Sequence, residues 1–391
     1  MEQLRPDFDL RPSLRMRLGL ISEELLRLTV AQYQILDGLL DNRTAVIRGG
    51  AGSGKTFLAI EESRRAAAAG KRVLLLCFNR ALGRQMQEAV ADCPEVTATH
   101  LHGFMAGTIR EAGLEDQIPA ADPADVFTLF QPLLCLEALP QLGLAHAFDV
   151  LIVDEAQDIL RDAYLDVLDA AVRDGLSGGA WRFLYDPRQN VFEGVEPKGM
   201  KRLMDLHPAL YRLRVNCRNT APIAVSVGLL SGTECDETLV VDGPEVETFW
   251  YSDDKEQRRI VSRHVGRLLA QGLRPADIVI LSHKRLENSC LALGFTGLPY
   301  EIDPSDEDLA KAETVAFRTI PAYKGLEADA VVLVDVDRLD GRDAASSLYV
   351  GASRARSHLA VFIDQTAKDD YAARAEDFGR LLVRASGSFP R

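Results

Sequence analysis

Short apolar runs alternate with amphipathic stretches along the whole chain of 391 residues. Strand-like runs fall at 45–48, 73–78, 96–99, 150–153 and 181–185, with helical periodicity at 57–69, 81–91 and 158–173. A second series opens near 210–214. It continues through strand-like runs at 246–251, 278–281, 314–319, 330–336 and 358–363, with a helix at 255–270. Strands that alternate with helices predict parallel sheets covered by helices on both faces. The break between the two series lies near 207–210. Two further stretches read as insertions. Residues 105–148 are helical with Pro119, Pro123, Pro132 and Pro140 as punctuation, and 296–313 form an acidic loop.

Chemistry gathers at the ends of these strands. The run Val150-Leu151-Ile152-Val153 delivers Asp154 and Glu155 to its carboxyl end, where open α/β sheets place their ligands. One carboxylate there can hold Mg²⁺ while its neighbour faces an attacking water. Upstream, Gly49-Gly50-Ala51-Gly52-Ser53-Gly54-Lys55-Thr56 follows a strand and opens a helix, as a phosphate loop does. Backbone N–H groups and the helix N-terminus cradle the anion. Gly49, Gly52, Ser53 and Gly54 shape the loop, Lys55 reaches the β- and γ-phosphates, and the Thr56 hydroxyl ligates Mg²⁺. ATP is the expected substrate. The second half has a similar pattern without a phosphate loop, so one nucleotide site shared across a cleft is expected.

Composition narrows the class only a little. The chain is 47% apolar and 26% charged, with its longest apolar runs strand-sized and too short for a membrane span. Its N-terminal stretch has no apolar core of a signal peptide, so a cytoplasmic protein with no membrane partner is expected. Six scattered cysteines without a C-x-x-C pair argue against a zinc site or a disulfide framework. The net charge of −13 argues against nucleic acid only weakly, because total charge does not report the field inside a cleft.

The remaining polar spots recur in a fixed order. They are Thr29-Val30-Ala31-Gln32, the phosphate loop, Phe78-Asn79-Arg80, His100-Leu101-His102-Gly103-Phe104, Asp154-Glu155-Ala156-Gln157, Tyr185-Asp186-Pro187-Arg188-Gln189, Asn216-Cys217-Arg218, Tyr323-Lys324-Gly325-Leu326-Glu327 and Tyr349 to Ala355. In this order the set resembles the superfamily 1 helicases of the UvrD/Rep/PcrA group over roughly residues 28–364.

The resemblance implies two RecA-like domains in tandem, 28–208 and 209–391, after a lead-in at 1–27, with ATP and Mg²⁺ in the cleft between them. It implies that Asp154 holds the metal through water, Glu155 is the general base, Gln189 senses the γ-phosphate, Gln32 contacts adenine and Glu327 the ribose. Arg218 and Arg354 would be arginine fingers from the second domain. DNA contacts are implied for Phe78, Asn79, Arg80, His102, Phe192 and Lys324, with Trp250 and Tyr251 as further aromatic candidates. Cys217 stands where the family has a stacking Tyr, and Pro321 where it has His. The large family insertions are missing. The expected function is a 3′→5′ translocase or helicase on single-stranded or 3′-tailed DNA. The alternative is a regulatory ATPase subunit beside a nuclease partner in repair or phage defence.

Overall fold

The computed structural model describes residues 30–40, 42–189, 198–234, 237–238, 242–305 and 314–386. Phe192, the lead-in 1–27 and residues 306–313 of the acidic loop lie outside them. Two six-stranded sheets organise the chain. The first contains β1 (Thr44–Gly49), β2 (Val73–Cys77), β3 (Val96–His100), β4 (Val150–Val153), β5 (Ala180–Tyr185) and β6 (Ala209–Leu213), in the order β3-β2-β4-β5-β1-β6. After a short parallel pair, β7 (Val215–Asn216) with β8 (Glu237–Thr238), comes the second sheet. It contains β9 (Glu247–Tyr251), β10 (Ile278–Ser282), β11 (Glu301–Asp303), β12 (Thr314–Thr319), β13 (Ala328–Val336) and β14 (Ala355–Asp364), in the order β11-β12-β10-β13-β14-β9. Every neighbouring pair in both sheets is parallel.

The period of two along each strand feeds two cores. In β2, Val73, Leu75 and Cys77 enter one cluster with Ala45, Ile47, Val150 and Ile152. Leu74 and Leu76 point the other way, into a cluster with Val46, Leu151 and Val153. Helices α1 (Val30–Leu40), α2 (Lys55–Ala68) and α3 (Arg80–Ala89) cover the first face. Helices α4 (Leu101–Glu111), α5 (Gln131–Gln141), α6 (Asp162–Ala171) and α7 (Lys198–Met204) cover the second. The second sheet repeats the plan between α8 (Ala221–Ser231), α10 (Arg342–Ala352) and α11 (Lys368–Ser386) on one side and α9 (Asp254–Ala270) on the other. Because all strands run one way, their carboxyl ends share one edge in each sheet. Among the described residues no helix is long and apolar enough to cross a membrane.

One boundary moves. Strand β6 pairs with β1 from Ala45↔Ala209 to Gly49↔Leu213, so the first sheet runs past the division expected at 208/209. As an edge strand it alternates partly buried and exposed positions up to the buried Leu213, with Leu210 63% exposed. That pattern reads like the start of a new series.

The two halves are joined by polar contacts around the phosphate loop. Cys217 N–H donates to Gly52 O (2.8 Å), Ala51 N–H to the Tyr349 hydroxyl (2.8 Å), and Asn79 Nδ2 to Ala322 O (3.0 Å). Lys324 Nζ reaches Asp158 Oδ2 at 2.5 Å, with both side chains almost fully buried. Removing one member of a buried pair leaves an uncompensated charge at a cost of about 3–5 kcal/mol. Lys324→Met is therefore expected to lower stability to chemical denaturation by about that much, and adding Asp158→Leu to recover most of it. A single variant as stable as the wild type would remove this pair as a domain clamp.

A second buried polar group lies between α9 and β14 of the second domain. His264 and His358 face each other with their Nε2 atoms 3.3 Å apart, while Arg267 donates to His264 Nδ1 and to Glu247. Burial, then His358 and Arg267, pushes His264 down to about 3. Burial and Arg267 also lower His358, against the pull of Glu247. Both rings stay neutral in the fold while the unfolded chain takes up protons below about 6.5. Their contribution is thus complete above that pH and is lost as pH falls. We expect urea midpoints to drop between pH 7 and pH 5 and the drop to shrink in a His264→Gln, His358→Gln double variant. Parallel declines in the two proteins would contradict this.

Candidate nucleotide site between the domains

The loop after β1 is shaped by contacts that exclude larger residues. Gly54 has φ 83°, and a Cβ there would lie 2.0 Å from Gln32 Nε2. Gly52 has φ 77°, and its Cβ would lie 2.3 Å from Asn216 Oδ1 in the second domain. Glycine alone tolerates both the backbone and the approach. Ser53 Oγ donates to Gly50 O (2.8 Å), and Lys55 Nζ donates to Gly49 O and Gly50 O, each at 3.0 Å. Gln32 Nε2 donates to Ser53 O (2.8 Å) and lies 3.8 Å from Cys217 Sγ. The glutamine thus stands beside the loop where the sequence placed it.

The carboxylate pair turns as its strand ends. Glu155 has φ 50°, in the left-handed region that residues with a Cβ rarely adopt. This turn lets both side chains serve the same loop. Asp154 Oδ2 accepts from Thr56 Oγ1 at 2.5 Å, and Glu155 lines the cleft and accepts from Gln157 Nε2 at 2.5 Å. Burial, then the Glu155 charge, raises the Asp154 pKa. Burial also acts on Glu155, but Lys55, Lys324 and Arg354 together hold it below its ordinary value. One carboxylate is therefore kept ionised by cations from both domains. Asp154 Oδ1 is buried with no hydrogen-bond partner. An unpaired carboxylate oxygen beside a hydroxyl is the hard oxygen set that Mg²⁺ prefers, so the residues fit that ion.

The cleft encloses about 210 Å³ and is lined from the first domain by Gln32, Lys55, Thr56, Glu155 and Gln189. From the second domain it is lined by Cys217, Arg218, Glu327 and Arg356. Arg218 Nε donates to Glu327 Oε2 (2.6 Å), and Arg356 reaches Glu327 Oε1 (3.5 Å) and Asp329 Oδ1 (2.7 Å). Burial would raise Glu327, but Arg218 and then Arg356 outweigh it and keep the carboxyl low. Gln189 is fully buried. Its Nε2 donates to Asp186 Oδ2 (2.8 Å), its carbonyl accepts from Lys324 (3.3 Å), and its Oε1 has no partner.

Several expected positions land elsewhere. Arg354 is 1% exposed and is not among the residues lining the cleft. Its guanidinium donates to Val350 O, Leu326 O and Ser353 Oγ. Arg356, two residues on, faces the cleft instead. Lys324, expected on DNA, is the buried partner of Asp158, because the loop before β13 folds inward against the first domain. Asn79 caps α3 through Oδ1 and donates its amide to Ala322, so its side chain is committed to structure. Phe78 is half-buried, Arg80 is exposed, and His102 Nδ1 donates to Gln131 Oε1 (3.2 Å). Trp250 packs against Tyr371 and Lys368, and Tyr251 is buried, so both belong to the second domain's core.

Tyr349, Asp186, Asp158 and Arg356 were missed as contributors. The first two lie inside stretches the sequence had singled out. Tyr349 hydroxyl donates to the same Asp186 oxygen that holds Gln189 (3.1 Å). Asp158 carries no sequence signal beyond its closeness to Glu155.

Comparison with known proteins follows the same lines. A family profile described as AAA domain matches residues 27–233, and one described as UvrD-like helicase C-terminal domain matches residues 315–362. Among solved structures, the arterivirus nonstructural protein 10 helicase matches with TM-score 0.41 and 13% identity, over 86% of this chain and 64% of that one. The PRRSV helicase matches with TM-score 0.39 and 13% identity, over 84% of this chain and 54% of that one. The chain thus spans less than two thirds of the length of either. A search of curated proteins finds no match. With the AAA profile across more than half its length and the helicase profile in its second sheet, the chain belongs to the superfamily 1 UvrD-like helicase family.

Proposed function

We propose that this chain is an ATPase stimulated by single-stranded DNA, with a 3′→5′ translocase or helicase core. The observation that carries the reading is the cleft itself. A phosphate loop, Glu155 of the buried carboxylate pair and Gln189 face Arg218 and Glu327 from the other domain. Phosphoryl transfer asks for positioning and charge neutralisation more than for covalent chemistry, and this arrangement supplies both.

In this reading Lys55 exchanges the Gly49 and Gly50 carbonyls for the β- and γ-phosphates. Thr56 and Asp154 hold Mg²⁺, which neutralises phosphate oxygens when bound. Glu155, kept ionised by its cations, orients and deprotonates the attacking water. Gln189 offers Oε1 toward the γ-phosphate side, Gln32 contacts the adenine edge, and Glu327 contacts the ribose. Arg218 neutralises charge from the second domain. Arg354 acts from behind, through its field on Glu155. Because cations of one domain serve carboxylates of the other, domain closure and hydrolysis are coupled.

A second reading, a regulatory ATPase beside a nuclease, is favoured by one feature. Beyond the two sheets the described chain adds only the small helical segment containing α4 and α5 and a short loop around β11. Strand separation would then depend on a partner.

The deciding experiment is steady-state ATP hydrolysis with no polymer, single-stranded DNA, duplex DNA and single-stranded RNA. At least about tenfold stimulation by single-stranded DNA is expected, a gain equivalent to about 1.4 kcal/mol in barrier. Equal rates in all four would remove the translocase reading. Robust unwinding of a 3′-tailed duplex by the isolated chain would remove the regulatory one.

A further inference from the structure

The helical insertion contributes an aromatic side chain to the surface that the expected DNA residues occupy. Phe127 lies in the π-helical turn Val126–Phe130. Its ring meets His102 edge-on at 5.0 Å between centroids, and His102 in turn meets Phe78 at 5.3 Å and Tyr164 at 5.6 Å. Tyr164 is 2% exposed and donates its hydroxyl to the Phe127 carbonyl (3.4 Å), which fixes the turn from below. Phe127 itself is 43% exposed. An aromatic ring with this much of its surface exposed is costly to leave in water, and a flat ligand can cover it.

The charge around this row selects the ligand. Arg80 and Arg161 are exposed, and Arg84 is half-buried. Burial disfavours the imidazolium of His100 and His102 most; His102 and then Arg80 and Arg84 add to it at His100, and Arg161 adds to it at His102. Cations concentrated beside aromatic rings, in a chain whose net charge is −13, match a polyanion with unstacked bases. This is the combination that binds single strands without reading their sequence.

We infer that Phe127, together with Phe78 and His102, forms a base-stacking row for single-stranded nucleic acid, with Phe127 supplied by this chain's own insertion. The inference rests on the single-strand reading above and names a contact that reading does not contain. It also gives the insertion a task, because the π-turn projects Phe127 from the insertion against α4.

The test is fluorescence anisotropy with dye-labelled oligo-dT, using the full chain. Phe127→Ala is expected to weaken binding by about 5- to 100-fold, the loss of one stacked base. Phe127→Trp is expected to retain binding, with its added indole emission quenched by the oligonucleotide. Leu133→Ala removes a side chain that is 55% exposed in the same insertion but outside the row, and should leave affinity unchanged. An abasic oligonucleotide should bind the wild type and Phe127→Ala equally. If the wild type binds oligo-dT and Phe127→Ala binds it as tightly, the row is overturned and the exposed ring becomes a protein-docking feature. If the wild type binds no polymer, the single-strand reading fails along with the row.

Discussion

Two adjacent carboxylates at the end of a fully buried strand are the constraint around which this molecule is built. Charges removed from water cost several kcal/mol each unless they are paired. Asp154 meets Thr56 on its own domain, and one of its oxygens stays unpaired. Glu155 is held ionised by Lys55 and by two cations of the second domain, Lys324 and Arg354. The second domain is thus part of the electrostatic environment of the first domain's strand end. A separated pair of domains would leave Glu155 with a different charge balance.

The same interface holds the residue most exposed to that change. Gln189 is gripped through its side chain by Asp186, which also takes the Tyr349 hydroxyl, and through its carbonyl by Lys324. Tyr349 in turn accepts from the phosphate-loop amide of Ala51. Two second-domain side chains therefore position one first-domain glutamine beside the phosphate loop. From there the chain leads outward through Asn79, which caps α3 and ties to Ala322, to Phe78 and the aromatic row. The cleft and the aromatic row are thus joined by short polar links.

Much of this was legible from residue pattern. Doubly covered parallel strands need continuous apolar runs, and Val73–Cys77 and Val150–Val153 are such runs with every residue buried. The phosphate loop and the carboxylate pair were legible because few alternatives explain Gly, Lys and Asp-Glu at those strand ends. What escaped notice depended on tertiary partners. Strand β6 looked like a new beginning because an edge strand is only half buried. Lys324 reads as a surface cation until Asp158 is found across the interface. Arg354 and Arg356 are indistinguishable as sequence, and only the fold shows that one donates to three groups of its own domain while the other faces the cleft. Phe127 was invisible because a lone aromatic in a helical insertion reads as packing.

The central claim is that Glu155, ionised by cations from both domains, performs the chemistry in a cleft that binds nucleotide without it. Glu155→Gln keeps the shape and removes the charge. The direct measurement is ATP affinity, by titration with a fluorescent nucleotide, alongside turnover in the same preparation. The account predicts an affinity within a few-fold of the wild type and turnover reduced by about 10²–10⁴-fold, the usual contribution of a general base. Undiminished turnover in that variant would contradict it.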